Sequence, residues 1–260
     1  MTTPRMPDHA ALLRVLAPRR AAPTVLATIE AYVERLLVFL DGAAADPAAP
    51  VTFQTAVVKA TANALTRHRF YTWAYNSAYR VSPRGAIDIR VPLAGGGHTV
   101  VRGADRLTLR EVAATLAAAG TAGAPDDDLD RLAAEHPFMG RLSAGLHTVV
   151  AAGLRLSGRA EEHLWKTLSV THGTFTIAHI GDVGLTAPGA PIRAPSILEL
   201  GVGNPFPRET VRGGAVTLRR CVTLTARLDH RMTDVAQAAA FMGDVAAALN
   251  DPEGGLGPAG

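Results

Sequence analysis

Leu228-Asp229-His230-Arg231-Met232-Thr233-Asp234 separates two stretches of different character. Before it, Ala215 to Leu228 is β-rich and reads as a strand; after it, Val235 to Leu249 is alanine-rich and reads as a helix. A histidine on a short connection between two rigid elements is held in a fixed place, which suits a catalytic group. Taken alone, His230 followed four positions later by Asp234 is a weak pattern in a chain with nine histidines. The surrounding order has to carry the reading.

Working outward, Thr174 to Ile180 and Ile197 to Gly201 share the β character. Ala86 to Leu93 and His98 to Arg102 flank Gly95-Gly96-Gly97, which predicts a hairpin because glycine accepts the positive φ of tight turns. Helical periodicity is expected over Ile29 to Leu40, with Tyr32, Leu36 and Leu40 on one stripe, and over Phe53 to Leu65. Thr108 and Glu111 have capping-box spacing at the start of a third helix that runs through Leu116 and ends at Gly120. Pro125-Asp126-Asp127-Asp128 reads as a helix start, with further helix through Leu132 and again from Arg159 to Leu168. The tail from Pro252 to Gly260 has too little apolar content to fold. These elements predict an α/β (α+β) two-layer sandwich, a mixed sheet with helices on one side.

The 260 residues, 48% of them hydrophobic, can bury one full core, so a single domain over 1–252 is expected, with an N-terminal arm at 1–22 and a flexible tail at 253–260. No run of about 18 apolar residues offers a membrane span, and no hydrophobic stretch with a cleavage site marks a leader, so the cytoplasm is the expected location. Cys221 is the lone cysteine and reads as a buried, inert thiol. The net charge is only +3 and the arginines are scattered, which argues against nucleic-acid binding.

Several chemistries are missing from the sequence. Gly140-Arg141-Leu142-Ser143-Ala144-Gly145 lacks the spacing of a nucleophile elbow. No His-Glu-x-x-His or paired-cysteine metal pattern is present, and no metal is expected. No helix start and no Lys-Ser/Thr follows the glycine run, which excludes a phosphate loop. Glu161-Glu162-His163 reads as a solvated helix face.

The order of motifs is similar to that of a known family, the catalytic domain of the acyltransferase component of 2-oxo acid dehydrogenase complexes. Asp229-His230-Arg231-Met232-Thr233-Asp234, the alanine-rich run from Ala236 and Asn250-Asp251-Pro252 resemble its C-terminal strand, His motif, helix and Asn-Pro. Gly173-Thr174-Phe175-Thr176-Ile177-Ala178-His179-Ile180-Gly181 resembles its Gly-Thr-Phe-Thr-Ile-Ser strand. Ala194-Pro195-Ser196-Ile197-Leu198-Glu199-Leu200-Gly201-Val202-Gly203 and Ala104-Asp105-Arg106-Leu107-Thr108-Leu109-Arg110-Glu111-Val112-Ala113 resemble two further motifs, and Pro23 to Glu30 the strand entering the first helix. The likeness runs from about Arg14 to Pro252.

The resemblance implies a chloramphenicol acetyltransferase-like fold and a homotrimer with active sites between subunits, where coenzyme A and the acyl donor meet. It implies His230 as the base that takes the thiol proton, a role imidazole suits because it titrates near neutrality. It implies that Asp234 holds the loop by pairing with an arginine, for which Arg14 is a candidate, with Arg19 and Arg20 as rivals. The cosubstrate it implies is an acyl thioester of coenzyme A or of a carrier protein, with a lipoyl protein supplied in trans as the other acceptor class. Residues that hold the cosubstrate cannot be named from the motifs. No lipoyl or subunit-binding domain is expected in this chain, and the tail predicts a free trimer and not a cubic core.

Three departures bear on chemistry. The family's oxyanion-stabilising serine falls at Ala178, and loss of one such donor typically costs on the order of a hundredfold in rate. In a regular strand Thr174, Thr176 and Ala178 share a face and His179 points the other way, so Thr176 or a bound water is the expected substitute donor. The glycine after the motif aspartate is Val235, and the 121–170 stretch is a longer, helical insertion that could cover one mouth of the channel. A catalytically silent trimeric scaffold is the alternative to an enzyme.

Overall fold

A computed structural model describes residues 23–43, 50–75, 81–93, 97–122, 173–181, 184–189, 192 and 196–257. The arm at 1–22 and the insertion expected over 121–170 lie outside them, apart from the helix end at 121–122.

The longest strand, β9 (Ala215–Asp229), organises the sheet. Along its second half Val222, Leu224, Ala226 and Leu228 alternate with Thr223, Thr225 and Arg227, the period of two that puts one set on each face. β1 (Thr24–Tyr32) pairs antiparallel along one side, from Thr24 opposite Asp229 to Tyr32 opposite Cys221. β7 (Leu198–Val202) pairs antiparallel on the other. β6 (Phe175–Ile180) then runs parallel to β7, and β4 (Ile89–Pro92) parallel to β6. β5 (His98–Val101) closes the edge as the expected hairpin partner of β4. The order is β1-β9-β7-β6-β4-β5, a mixed sheet, with a separate two-stranded ribbon of β2 (Ala74–Tyr75) and β3 (Val81–Ser82).

One face of this sheet is apolar and shares a core with the helices: Ile89, Val91, Phe175, Ile177, Leu198, Leu200, Val222, Leu224 and Leu228 are all buried. α1 (Glu34–Ala43), α2 (Phe53–Arg67), α3 (Leu109–Ala122) and α4 (Val235–Asn250) contribute the other half. The central helix α2 is buried along almost its whole length, Lys59 included. The Lys59 ammonium donates to the carbonyls of Ala104 and Asp105 at 3.4 and 3.2 Å, which ties the Ala104-Asp105-Arg106 turn to the helix. Thr108 and Glu111 form the expected capping box at the start of α3. Gly173 has φ +73°, and a Cβ there would lie 2.6 Å from the Asp88 carbonyl oxygen; only glycine lets the start of β6 approach β4 so closely. Cys221 is buried in β9, and burial pushes its thiol up from the ordinary range.

Two expectations need correction. Ile29 to Tyr32 is the end of β1, and the first helix begins only at Glu34. The alternation of Val25, Ala27, Ile29 and Ala31 with Leu26, Thr28 and Glu30 is a strand pattern, and pairing with β9 decides it. Glu34 accepts from the Arg219 guanidinium at 2.9 Å twice and from the Arg220 backbone N–H at 2.9 Å, which fixes where α1 starts. The tail is not unfolded throughout: Pro252–Leu256 forms α5, with Leu256 buried and the Gly255 carbonyl accepting from Asn63 at 2.8 Å. A Cβ on Gly255 would come within 2.4 Å of the Ala248 backbone, so the glycines counted against folding are what permit the docking.

β8 (Phe206–Arg212) was not anticipated, because Pro207 and three charged residues break the apolar pattern. It continues the line of β7 and pairs with Ala215–Cys221 through the Gly213-Gly214 turn. On this hairpin Val211, Val216 and Leu218 continue the apolar face of the sheet, yet they are about 70% exposed.

Candidate active site

His230 follows the last residue of β9, and its backbone N–H donates to the Pro23 carbonyl oxygen at 3.0 Å, so the start of the described chain braces the turn. On either side of it, Asp229 and Arg231 turn back and pair. Asp229 is fully buried, and its carboxylate accepts from Arg231 Nε at 2.8 Å, from the second guanidinium nitrogen at 2.5 Å and from the Arg231 backbone N–H at 3.1 Å. The middle residue is left exposed at the end of the strand.

The imidazole is held by its own loop. His230 Nδ1 lies 3.0 Å from the Thr233 carbonyl oxygen. A carbonyl only accepts, so Nδ1 carries a hydrogen, and in the neutral ring that leaves the lone pair on Nε2. Thr233 is itself clamped: its hydroxyl donates to Gln237 Oε1 at 2.9 Å and stands 3.0 Å from the Tyr71 hydroxyl, and its backbone N–H reaches the Asp229 carbonyl at 3.2 Å. Tyr71 sits in a 3-10 turn (Arg69–Thr72) after α2, buried against Phe241 with ring centroids 5.3 Å apart.

Asp234 does not pair with an arginine among the described residues. It is the N-cap of α4, its carboxylate accepting from the Gln237 backbone N–H at 2.7 Å. Negative charge at a helix start and an otherwise unsatisfied N–H explain the choice. The arginine-carboxylate pair of the loop is Asp229 with Arg231. Arg14, Arg19 and Arg20 lie outside the described residues.

Thr176 and Ala178 are elsewhere. β7 stands between β9 and β6, and His230 lies at the level of Ser196, whereas Ala178 lies between the levels of Leu200 and Gly201. Two strand spacings and four to five residues of rise put them on the order of 15 Å apart in one chain. Thr176 sits in a row across the polar face of the sheet, between Arg90 and the buried Glu199, with Arg227 beyond.

The expected alternation in β6 also fails. Ile177 pairs with Leu200 and His179 with Gly201, so Ala178 is the extra residue of a β-bulge. His179 consequently takes the Thr176 side of the sheet, and Ile180 rejoins the core side with Val202. Neither Tyr71 nor Thr233 was identified from the sequence. The Asp229-His230-Arg231 triplet did contain the buried pair, but nothing local says that its outer residues meet.

Among the described residues no group of three His, Cys, Asp or Glu side chains could hold a metal ion, and no helix is long and apolar enough to cross a membrane.

The family model for the catalytic domain of 2-oxoacid dehydrogenases acyltransferase matches residues 143–256, the stretch that holds β6 to β9, the His230 turn and α4. Residues 143–256 are thus similar to that acyltransferase family. A curated relative, the dihydrolipoyllysine-residue acetyltransferase component of the pyruvate dehydrogenase complex of Zymomonas mobilis, is 34% identical over 87 residues. That stretch is 34% of this chain and 20% of the relative, so the match spans a minor part of its length. The cubic core of the pyruvate dehydrogenase multienzyme complex aligns over 98% of this chain and 93% of its own, with a TM-score of 0.70 and 20% identity. Chloramphenicol acetyltransferase aligns over 93% and 94% with a TM-score of 0.50 and 13% identity. The likeness of fold to these two structures therefore reaches beyond the stretch that the family model matches.

Proposed function

We propose that the protein is an acyltransferase that exchanges an acyl group between thiols, with His230 as general base. The observation that carries this reading is the hydrogen bond from His230 Nδ1 to the Thr233 carbonyl oxygen, which leaves Nε2 as an unprotonated acceptor on an exposed turn. Nε2 takes the proton of an acceptor thiol, and the thiolate attacks the carbonyl carbon of an acyl thioester. A new C–S bond forms, the tetrahedral oxyanion collapses, the old C–S bond breaks, and the imidazolium returns its proton to the departing thiolate. The thioester is one of coenzyme A or of a carrier protein. The name of the Zymomonas relative favours a dihydrolipoyl thiol as acceptor.

The working form in this reading is a homotrimer with sites between subunits. Two observations support it. His230 and the bulge at Ala178 are too far apart to serve one substrate within a chain, and the hairpin of β8 and β9 exposes Val211, Val216 and Leu218. Ala178 favours a second reading, a silent trimeric scaffold, since no hydroxyl is present where the family places its oxyanion donor.

His230→Ala separates the two. The enzyme reading expects wild-type consumption of acetyl-coenzyme A with a dithiol acceptor and a loss of a thousandfold or so in kcat for the variant, in keeping with removal of a general base. Equal thioester turnover in a folded His230→Ala protein would discard it.

A further inference from the structure

Tyr71 lies more than 150 residues from Thr233 in the chain, yet their hydroxyls are 3.0 Å apart in a buried position. Thr233 is 6% exposed and Tyr71 3%. The direction of the bond follows from chemistry. The Gln237 carboxamide oxygen is an acceptor only, so the Thr233 hydroxyl hydrogen goes to Gln237 and its oxygen is left to accept from Tyr71. Thr233 thus has every polar group engaged: hydroxyl to Gln237 and Tyr71, N–H to the Asp229 carbonyl, carbonyl to His230 Nδ1. Rotation of this one peptide would withdraw the acceptor that holds the Nδ1 hydrogen.

The tyrosine is rigid in turn. Its ring meets Phe241 at 5.3 Å, Phe70 at 6.0 Å and His68 at 6.5 Å between centroids, and His68 Nε2 is bound to Asp244 at 2.8 Å. Burial, with the Asp234 charge adding to it and the Thr233 bond opposing it, raises the phenol above its ordinary range, so it stays a donor throughout neutral pH.

We propose that Tyr71 is a positioning residue which, through its hydroxyl on Thr233, holds the Thr233 carbonyl where it keeps His230 in the Nδ1-protonated tautomer. The inference rests on His230 acting as the base only for its effect on turnover. Its effect on the imidazole stands apart from that reading.

The test is Tyr71→Phe, which keeps the ring and removes the hydroxyl, with Thr233→Val as the variant that removes the acceptor from the other side. Nitrogen-15 spectra of the histidine-labelled protein report the tautomer of His230, assigned by comparison with His230→Gln. Tyr71→Phe is expected to move the His230 nitrogen resonances from the Nδ1-protonated pattern toward a tautomer average. It is also expected to lower kcat about three- to tenfold, the span of one lost neutral hydrogen bond, with KM for the thioester unchanged. The double variant should lose no more than the more impaired single one.

Unchanged nitrogen resonances in Tyr71→Phe would overturn the proposal whatever the activity. Changed resonances with unchanged kcat would overturn the catalytic part of it. If His230→Ala retains full turnover, the base reading fails while the spectra still decide the role of Tyr71.

Discussion

The Asp229 carboxylate and the Arg231 guanidinium form a two-bonded ion pair across the intervening His230, with Asp229 at 0% exposure. A buried carboxylate tolerates its charge only while its partner is present. The pair therefore acts as the foundation of the turn, and the exposed histidine is its consequence.

Arg231→Met keeps the stem of the side chain and removes the charge. Removing one side of a buried pair takes a two-bonded partner from a fully buried carboxylate, so a loss of about 3 kcal/mol in unfolding free energy is expected. Urea denaturation at neutral pH measures it. A loss within 1 kcal/mol would mean that Arg231 contributes no more than an ordinary surface ion pair.

Ala178→Ser introduces a hydroxyl at the position where the resemblance implies an oxyanion-stabilising serine. The bulge leaves this residue outside the β6–β7 register, so the substitution disturbs no paired position. Under the proposed chemistry kcat is expected to rise by about a hundredfold, the usual scale of one oxyanion donor. Steady-state thioester assays with a saturating thiol decide it, and an unchanged kcat would show that the missing serine does not limit turnover.

Asp244 receives Arg67 Nε and His68 Nε2, each at 2.8 Å. The Arg67 hydrogen bond, followed by that of His68, holds its carboxyl below the usual range against the opposing effect of burial. A depressed carboxyl stabilises the fold above its unfolded-state pKa, and that stability is lost as pH falls through the lower folded-state value. Part of the decline of wild-type stability below about pH 4 should therefore be absent from Asp244→Asn. The carboxylate is 35% exposed, so the difference at neutral pH should be at most about 1 kcal/mol. Thermal melts between neutral and acidic pH test this, and parallel curves for the two proteins would count against it.

The elements that the sequence disclosed are those whose local signals agree with their surroundings. The strand Ala215 to Asp229, the helix from Val235 and the hairpin of β4 and β5 carry clear periodicity or glycine turns, and each stands as expected. Ile29 to Tyr32 satisfied a helical stripe and a strand alternation at once, and a nine-residue ladder with β9 decided between them. The tail counted as unfoldable because composition averages over residues, whereas one buried Leu256 and one close glycine contact suffice to dock it.

The candidate site divides in the same way. The ordered motifs around His230 carried the family resemblance and placed the histidine at the end of a strand, because strand, turn and helix are written in short-range patterns. Only the tertiary structure decided that Asp229 pairs with Arg231 while Asp234 caps α4, that Ala178 is a bulge two strands away, and that Tyr71 closes on Thr233. Tyr71 and Thr233 are brought together only by the folded sheet and helices, so no window of sequence contains both; Asp229, Arg231 and Asp234 are neighbours in sequence, but which carboxylate is buried with the arginine and which caps the helix depends on the polar groups the fold leaves to be satisfied.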